Sequence, residues 1–441
     1  MKVISPANET VLKILRTPKS TDGNYRKMHF CVEQPMDDGV LLFHTLTKEL
    51  LLLTQQEYAQ HLELDYLREH WFVVPEGTKD KEYSDLVKWV WSHRQKKGKE
   101  ITSYSIFTTT DCNARCFYCF ELGRSRMPMD QETALKVVQF IKKNCGGKAV
   151  NITWFGGEPL YNMDVIDTIS AGLREAGIDY SSKMITNGYL FDEESVEKAV
   201  QLWNLKRLQI TLDGTESAYN RIKAYIYKEG NPYQRVLKNI GLLLDASIFV
   251  DVRLNLGKNL EDLLQLSQEL GQRFAGKKNL AVYAQHLFSK TKTMAETYSE
   301  DEWVIRNENM RRLEALLKEK GLISQEGISQ KICLHHCRAD SGTSVTILPD
   351  GSVGLCDQFS DSEFIGHIDR EGFDADVVKS WRETSPEIEA CATCFYHPYC
   401  VMLKKCPSGG KCFPQRQERY LRKVLRQMEN EYTMWKEKDH S

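Results

Sequence analysis

Cys112, Cys116 and Cys119 are spaced CxxxCxxC. Three thiolates so placed can hold three irons of a 4Fe–4S cube and leave the fourth iron open to a small molecule, much as a catalytic zinc keeps an open position. Zinc is the other occupant such thiols take, but a structural zinc usually draws its cysteines in two close couples, and no second couple lies nearby. Far downstream come Cys333, Cys337, Cys356, Cys391, Cys394, Cys400, Cys406 and Cys412. Of thirteen cysteines only Cys31 and Cys145 fall outside these two sets. An odd count in a chain of 441 residues argues against a secreted disulfide scaffold and for thiols that hold metal in a reducing compartment.

The elements that must position these thiols begin near residue 104. Six strand candidates follow: Tyr104–Thr110, Ala149–Phe155, Lys183–Asn187, Arg207–Leu212, Phe249–Leu254 and Leu280–Phe288. Helical spacing lies between them, as in Ala134, Val137, Val138 and Ile141 or Val196, Ala199, Val200 and Trp203. Strands alternating with helices predict a parallel sheet, and six repeats predict a partial, open (β/α)6 barrel with its active site at the C-terminal strand ends. CxxxCxxC follows the first strand. Gly156-Gly157-Glu158-Pro159 follows the second, Thr186-Asn187-Gly188 ends the third and Thr211-Leu212-Asp213-Gly214 ends the fourth. Arg253 and Asn255 share a face of the fifth. Taken alone, Gly-Gly-Glu-Pro reads more readily as an ordinary turn than as a cofactor motif.

The composition adds exclusions. Lys+Arg (59) nearly balances Asp+Glu (61), so no field points to nucleic acid or an anionic membrane. No apolar run reaches the roughly 18 residues of a membrane span. The opening MKVISPANETVLK lacks the apolar core of a secretion signal, so a cytoplasmic protein is expected.

The cysteine triplet, Tyr118 before its last member and the Gly-Gly-Glu motif resemble radical S-adenosylmethionine (SAM) enzymes over residues 104–290. The resemblance implies SAM chelated to the open iron, its adenine read at the backbone of Tyr118, and its ammonium met by Glu158 beside Gly156 and Gly157. Thr186, Asn187, Thr211, Asp213, Arg253 and Asn255 would hold its ribose, carboxylate and adenine. The later cysteines resemble the SPASM extension, which houses two auxiliary 4Fe–4S clusters, three in all with the first. Carried across, the first auxiliary cluster would use Cys333, Cys337, Cys356 and Cys406; the second would use Cys391, Cys394, Cys400 and Cys412. Five residues separate Cys400 from Cys406, where that family has three. His335, His336, His367 and His397 among them read as solvated or hydrogen-bonded loop histidines rather than cluster ligands.

Domains are therefore expected at 1–98, 104–290, 291–330 (a helical bridge) and 331–441, the last closing on a helix whose Leu421, Val424, Leu425, Met428 and Trp435 share a face. Residues 1–98 resemble the small winged-helix-like module that binds leader peptides. The layout is most similar to the streptide-type Lys–Trp peptide cyclases. That resemblance implies an intramolecular crosslink made in a ribosomal precursor peptide through a 5′-deoxyadenosyl radical, with a flavodoxin- or ferredoxin-type electron donor. Thioether formation is an alternative. So is anaerobic sulfatase maturation, because Cys356-Asp357-Gln358-Phe359 resembles that group's motif, in which the aspartate is the base; Asp357 is the base candidate here. A bare electron carrier would need no SAM-facing strand ends. Tyr283 and His286 are further candidates to face substrate.

Overall fold

The computed structural model describes residues 1–15, 23–94, 100–287, 299–335, 337–357, 363–406, 412 and 414–439. Phe288, His336, Gln358 and Phe359, named above, lie outside them. The chain divides into two compact units, one of residues 1–96, 325–336 and 384–441, the other of residues 97–324 and 337–383.

The first unit is built on an antiparallel sheet, ordered β1 (Lys2–Ser5), β5 (Glu49–Leu53), β4 (Gly39–His44) and β3 (Cys31–Met36), beside a ribbon of β2 (Tyr25–Lys27) and β6 (Val73–Pro75). β4 and β5 are buried along their whole length, unlike a surface hairpin. The reason is that their two faces serve two cores. Leu41, Phe43, Leu50 and Leu52 pack with Val424, Met428 and Tyr432 of the helix Pro414–Asp439, while Leu42, Leu51 and Leu53 pack with Leu67, Phe72 and Val73. Buried Asp80 ties the ribbon, receiving Arg26 at 2.6 Å and His29 at 2.7 Å.

In the second unit β7 (Ser103–Thr109), β8 (Val150–Gly156), β9 (Tyr180–Thr186), β10 (Leu205–Leu212), β11 (Phe249–Leu256) and β12 (Leu280–His286) pair in parallel, each with the next. This is the open α/β arrangement that the alternation predicts. Helices cross between strands and bury one face each: Asp130 caps Gln131–Asn144 through Thr133 N (2.7 Å), and Ala134, Val137, Val138 and Ile141 go inward. The expected boundary at residue 331 runs through this arrangement. β13 (Ser344–Ile347) continues the sheet parallel to β7, followed by β14 (Ser352–Gly354) and β15 (Gly366–His367), so residues 337–383 fold with the parallel sheet. Residues 384–441 fold with the antiparallel one.

Candidate functional site

A cavity of about 270 Å³ opens at the C-terminal ends of β8 to β11. Cys112, Cys116 and Cys119 line it, with Tyr118, Gly156, Gly157, Thr186, Asn187, Thr211, Arg253 and Asn255. Phe120, Phe155, Ile185 and Leu287 supply an apolar side, on which Phe120 stacks over Phe155 at 5.7 Å.

The cysteine loop is held by backbone. Gly157 N donates to Thr109 O (3.0 Å) and Glu158 N to Asp111 O (2.9 Å), laying the end of β8 against the start of the loop. Both glycines are required for that approach. A Cβ at Gly156 would stand 2.1 Å from Thr109 O, and one at Gly157 would stand 2.2 Å from Asp111 O; Gly156 also sits at φ +125°.

Two of the strand-end residues, Glu158 and Asp213, are buried beside the cavity. Glu158 is fully buried and accepts from Thr186 Oγ1 (2.6 Å), Asn187 N (2.7 Å) and Leu160 N (3.3 Å). Burial pushes its pKa up to about 7, against those three donors. It therefore fastens the end of β9, whose Asn187 Nδ2 in turn reaches Asn113 Oδ1 (2.7 Å) and Cys112 Sγ (3.8 Å). Asp213 accepts from Tyr118 Oη (2.7 Å) and Asn255 Nδ2 (3.0 Å) and pairs with Lys223 Nζ at 3.0 Å.

Lys223 was missed in the sequence. It ends the helix Glu216–Lys223, lines the cavity and also donates to Tyr118 Oη at 3.0 Å. Burial alone would lower its pKa, but Asp213 and Tyr118 leave it raised well above the ordinary value, so the wall carries a fixed ammonium. Its position after the end of the fourth strand is the only signal a single sequence offers. Gln209, also missed, lines the cavity and receives the Tyr283 hydroxyl at 2.6 Å. His286 is buried edge-on against Trp303 at 5.6 Å.

These residues fit the cluster and SAM that a radical SAM domain implies. Three thiols open on one cavity, and Ala114 N lies 3.3 Å from Cys112 Sγ, a contact suited to a thiolate. Burial, with Glu158 and the neighbouring thiols adding to it, pushes the Cys112 thiol up to about 12, a shift that a bound iron reverses.

The downstream cysteines divide between the units. Cys337 and Cys356 belong with the parallel sheet, where Cys337 caps a short helix and Asp357 accepts from Thr346 Oγ1 (2.7 Å), 3.5 Å from Arg338. Cys333, Cys391, Cys394, Cys400, Cys406 and Cys412 belong with the antiparallel sheet. There burial pushes the Cys400 thiol up to about 11, with Cys412 and Cys394 adding to the rise; Cys394 in turn feels Cys391. His397 is buried and hydrogen-bonded, 2.6 Å from Ser84 Oγ and 3.1 Å from Glu387. His367 Nε2 lies 2.9 Å from Asp350 O.

Residues 106–270 match the radical SAM superfamily. GTP 3′,8-cyclase of Rhodopirellula baltica is 31% identical over 36% of this chain and 43% of its own length. A probable GTP 3′,8-cyclase of Methanocaldococcus jannaschii is 28% identical over 40% of this chain and 59% of its own. The chain thus spans about half the length of these relatives. Among solved structures, anSMEcpe with bound AdoMet superposes with a TM-score of 0.57 at 13% identity, covering 76% of this chain and 96% of that one. Streptococcus suis SuiB bound to precursor peptide SuiA gives 0.52 at 12%, covering 87% and 95%. At such identity the likeness is one of fold. No helix among the described residues is long and apolar enough to cross a membrane.

Proposed function

The chain carries a radical SAM domain, and we propose that it is a cytoplasmic peptide maturase that installs a side-chain crosslink, of the carbon–carbon Lys–Trp kind, in a ribosomal precursor. The observation that carries this reading is the meeting of three thiols, a fixed ammonium and the polar strand ends in one cavity. The peptide class is supported by the fold shared with SuiB, whose structure holds its precursor peptide.

When bound, SAM and three 4Fe–4S clusters supply a 5′-deoxyadenosyl radical for hydrogen abstraction and acceptors for the surplus electron. The chain's own groups do the rest. Cys112, Cys116 and Cys119 would hold the first cluster, and Cys391, Cys394, Cys400 and Cys412 an auxiliary one. Asn187, Thr211, Arg253 and Asn255 present hydrogen-bonding groups to the cofactor, while Glu158 and Asp213 fix Asn187, Tyr118 and Lys223 in place. The apolar side at Phe120, Phe155 and Ile185 would exclude water from the reacting atoms. Asp357, steadied by Thr346 and Arg338, is the proposed base, and a flavodoxin- or ferredoxin-type donor the proposed reductant.

Formylglycine formation is the second reading, favoured by Asp357 directly after Cys356 and by the fold likeness to anSMEcpe. Mass spectrometry of the precursor after co-expression separates the two. A crosslink loses two hydrogens, keeps every heavy atom and leaves fragment ions missing between the joined residues. A formylglycine made from cysteine exchanges sulfur for oxygen and reacts with hydrazide, which would end the crosslink reading. Leader dependence is best tested on the peptide, by comparing the full precursor with its leaderless core. Deleting residues 1–98 would also strip Leu41, Phe43, Leu50 and Leu52 from the core that Val424 and Met428 share.

A further inference from the structure

We infer that Tyr420 sets the reduction potential of the cluster held at Cys400, by donating its hydroxyl hydrogen to the Cys400 sulfur. The inference rests on the reading that Cys391, Cys394, Cys400 and Cys412 hold an auxiliary cluster.

The helix Pro414–Asp439 carries Arg416 and Tyr420 one turn apart. Tyr420 Oη stands 3.7 Å from Cys400 Sγ. A protonated thiol can give its hydrogen to that oxygen, but a thiolate bound to iron has none to give, so the phenol becomes the donor. A second contact fixes that direction. Arg416 Nε donates to the same Tyr420 oxygen at 3.3 Å, and a guanidinium has no acceptor. With its oxygen engaged by arginine, the phenol has its own hydrogen left to point at sulfur. The ring is clamped as well, stacked on Tyr396 at 4.1 Å with 12° between the planes. Both tyrosines are half-buried, which keeps the O–H···S contact from being exchanged for water.

Hydrogen bonds to cluster sulfurs are among the levers that set iron–sulfur potentials. The bond draws charge from the sulfur and so favours the reduced, more negative cluster. Tyr420 therefore raises the potential and makes this cluster the better electron acceptor. That is the property a surplus electron from substrate requires.

Tyr420→Phe keeps the ring and its stack and removes only the hydroxyl. Potentiometric titration of the reconstituted full-length chain, followed by electron paramagnetic resonance, should show one auxiliary midpoint moved down. The expected change is up to roughly tenfold in the one-electron equilibrium, about 59 mV. Arg416→Gln, which frees the phenol to turn, should move the same midpoint by less. Full iron content with every midpoint at its wild-type value in Tyr420→Phe would overturn the inference. If that variant loses a cluster, the wild-type protein decides: exchange into deuterium oxide should remove a proton coupling from one reduced auxiliary cluster, and its absence overturns the inference equally. Failure of the underlying reading looks different. Wild-type protein would then hold about eight irons instead of twelve, with no cluster at Cys400 whose midpoint could move.

Discussion

The two units hold their thiols by different means. In the parallel-sheet unit the CxxxCxxC loop hangs from backbone: the ends of β7 and β8 touch through Gly156 and Gly157, and Glu158 locks β9 to them. In the antiparallel-sheet unit Cys391 lies in a short helix, Glu389–Thr393, Cys394 and Cys400 follow in irregular chain, and the Tyr420 side chain reaches Cys400 from a long helix. A backbone-built site is rigid and intolerant of added atoms. A side-chain-built site can be adjusted one group at a time, which suits a cluster whose potential matters more than its openness to a ligand.

The largest expected effect separates the two chemically. Changing Cys112, Cys116 and Cys119 together to alanine should remove about four of twelve irons and abolish SAM cleavage. Changing Cys391, Cys394, Cys400 and Cys412 should also remove about four irons, yet leave SAM cleavage without peptide in place. SAM cleavage surviving the first change, or vanishing with the second while the first cluster remains, would break the comparison.

Glycine substitutions probe the backbone contrast. Gly157→Ala forces a methyl to 2.2 Å from the Asp111 carbonyl, which the loop cannot yield without moving its cysteines. We expect about 2–3 kcal/mol of destabilisation and a poorly reconstituted first cluster. Gly327→Ala, in the other unit, meets only the ends of two flexible side chains, Glu431 at 2.1 Å and Met434 at 2.6 Å, which can turn aside at the expense of the Glu431 bond from Ile328 N (2.8 Å). The expected cost there is below about 1 kcal/mol. Equal losses in thermal melts would erase the distinction.

What the sequence made legible follows the same division. The strands, the cysteine loop and Gly156-Gly157-Glu158 could be placed because each motif ends a strand, so one rule located them all. Two kinds of information were hidden. The first is how the polar groups are tied together: Glu158 and Asp213 fasten the strand ends, while Lys223, which lines the cavity, sits on a helix in no motif. The second is long-range pairing. β13 joins β7 across more than two hundred residues, and Val424 and Met428 share a core with Leu41 and Phe43, so the single boundary expected at 331 became an interleaving of chain segments. β5, a continuous run Glu49–Leu53 with both faces buried, carries no alternation by which to recognise it.

Acid and base should pull the units apart too. Burial raises Glu158 to about 7 from an ordinary 4.5. A raised carboxyl contributes stability fully below pH 4.5 and loses it as pH rises through 7. Before reconstitution, wild-type protein should therefore fall toward and past its neutral isostere Glu158→Gln between pH 5 and pH 8, by roughly 1–3 kcal/mol in melts. A gap constant with pH would mean that Glu158 ionises as in water.

The smallest effect is expected at Glu387, in the other unit, and its sign is opposite. Partial burial would raise its pKa, but Lys81, Lys88 and His397 outweigh burial and hold it down to about 2. A depressed carboxyl contributes its stability above its ordinary 4.5 and loses it as pH falls toward 2. The side chain is 37% exposed, so water and salt screen the pairs and little of that shift survives as stability. Glu387→Gln should cost about 0.5 kcal/mol at pH 7 in dilute buffer. The cost should shrink in 1 M salt, where the screening length is only about 3 Å, and vanish near pH 2, where wild type is itself protonated. Paired melts of the two proteins at pH 7 and pH 2, each at low and high salt, test all three statements. A difference that persisted at pH 2 would trace the loss to the neutral hydrogen bond with His397, and the two units would then differ in architecture but not in how charge stabilises them.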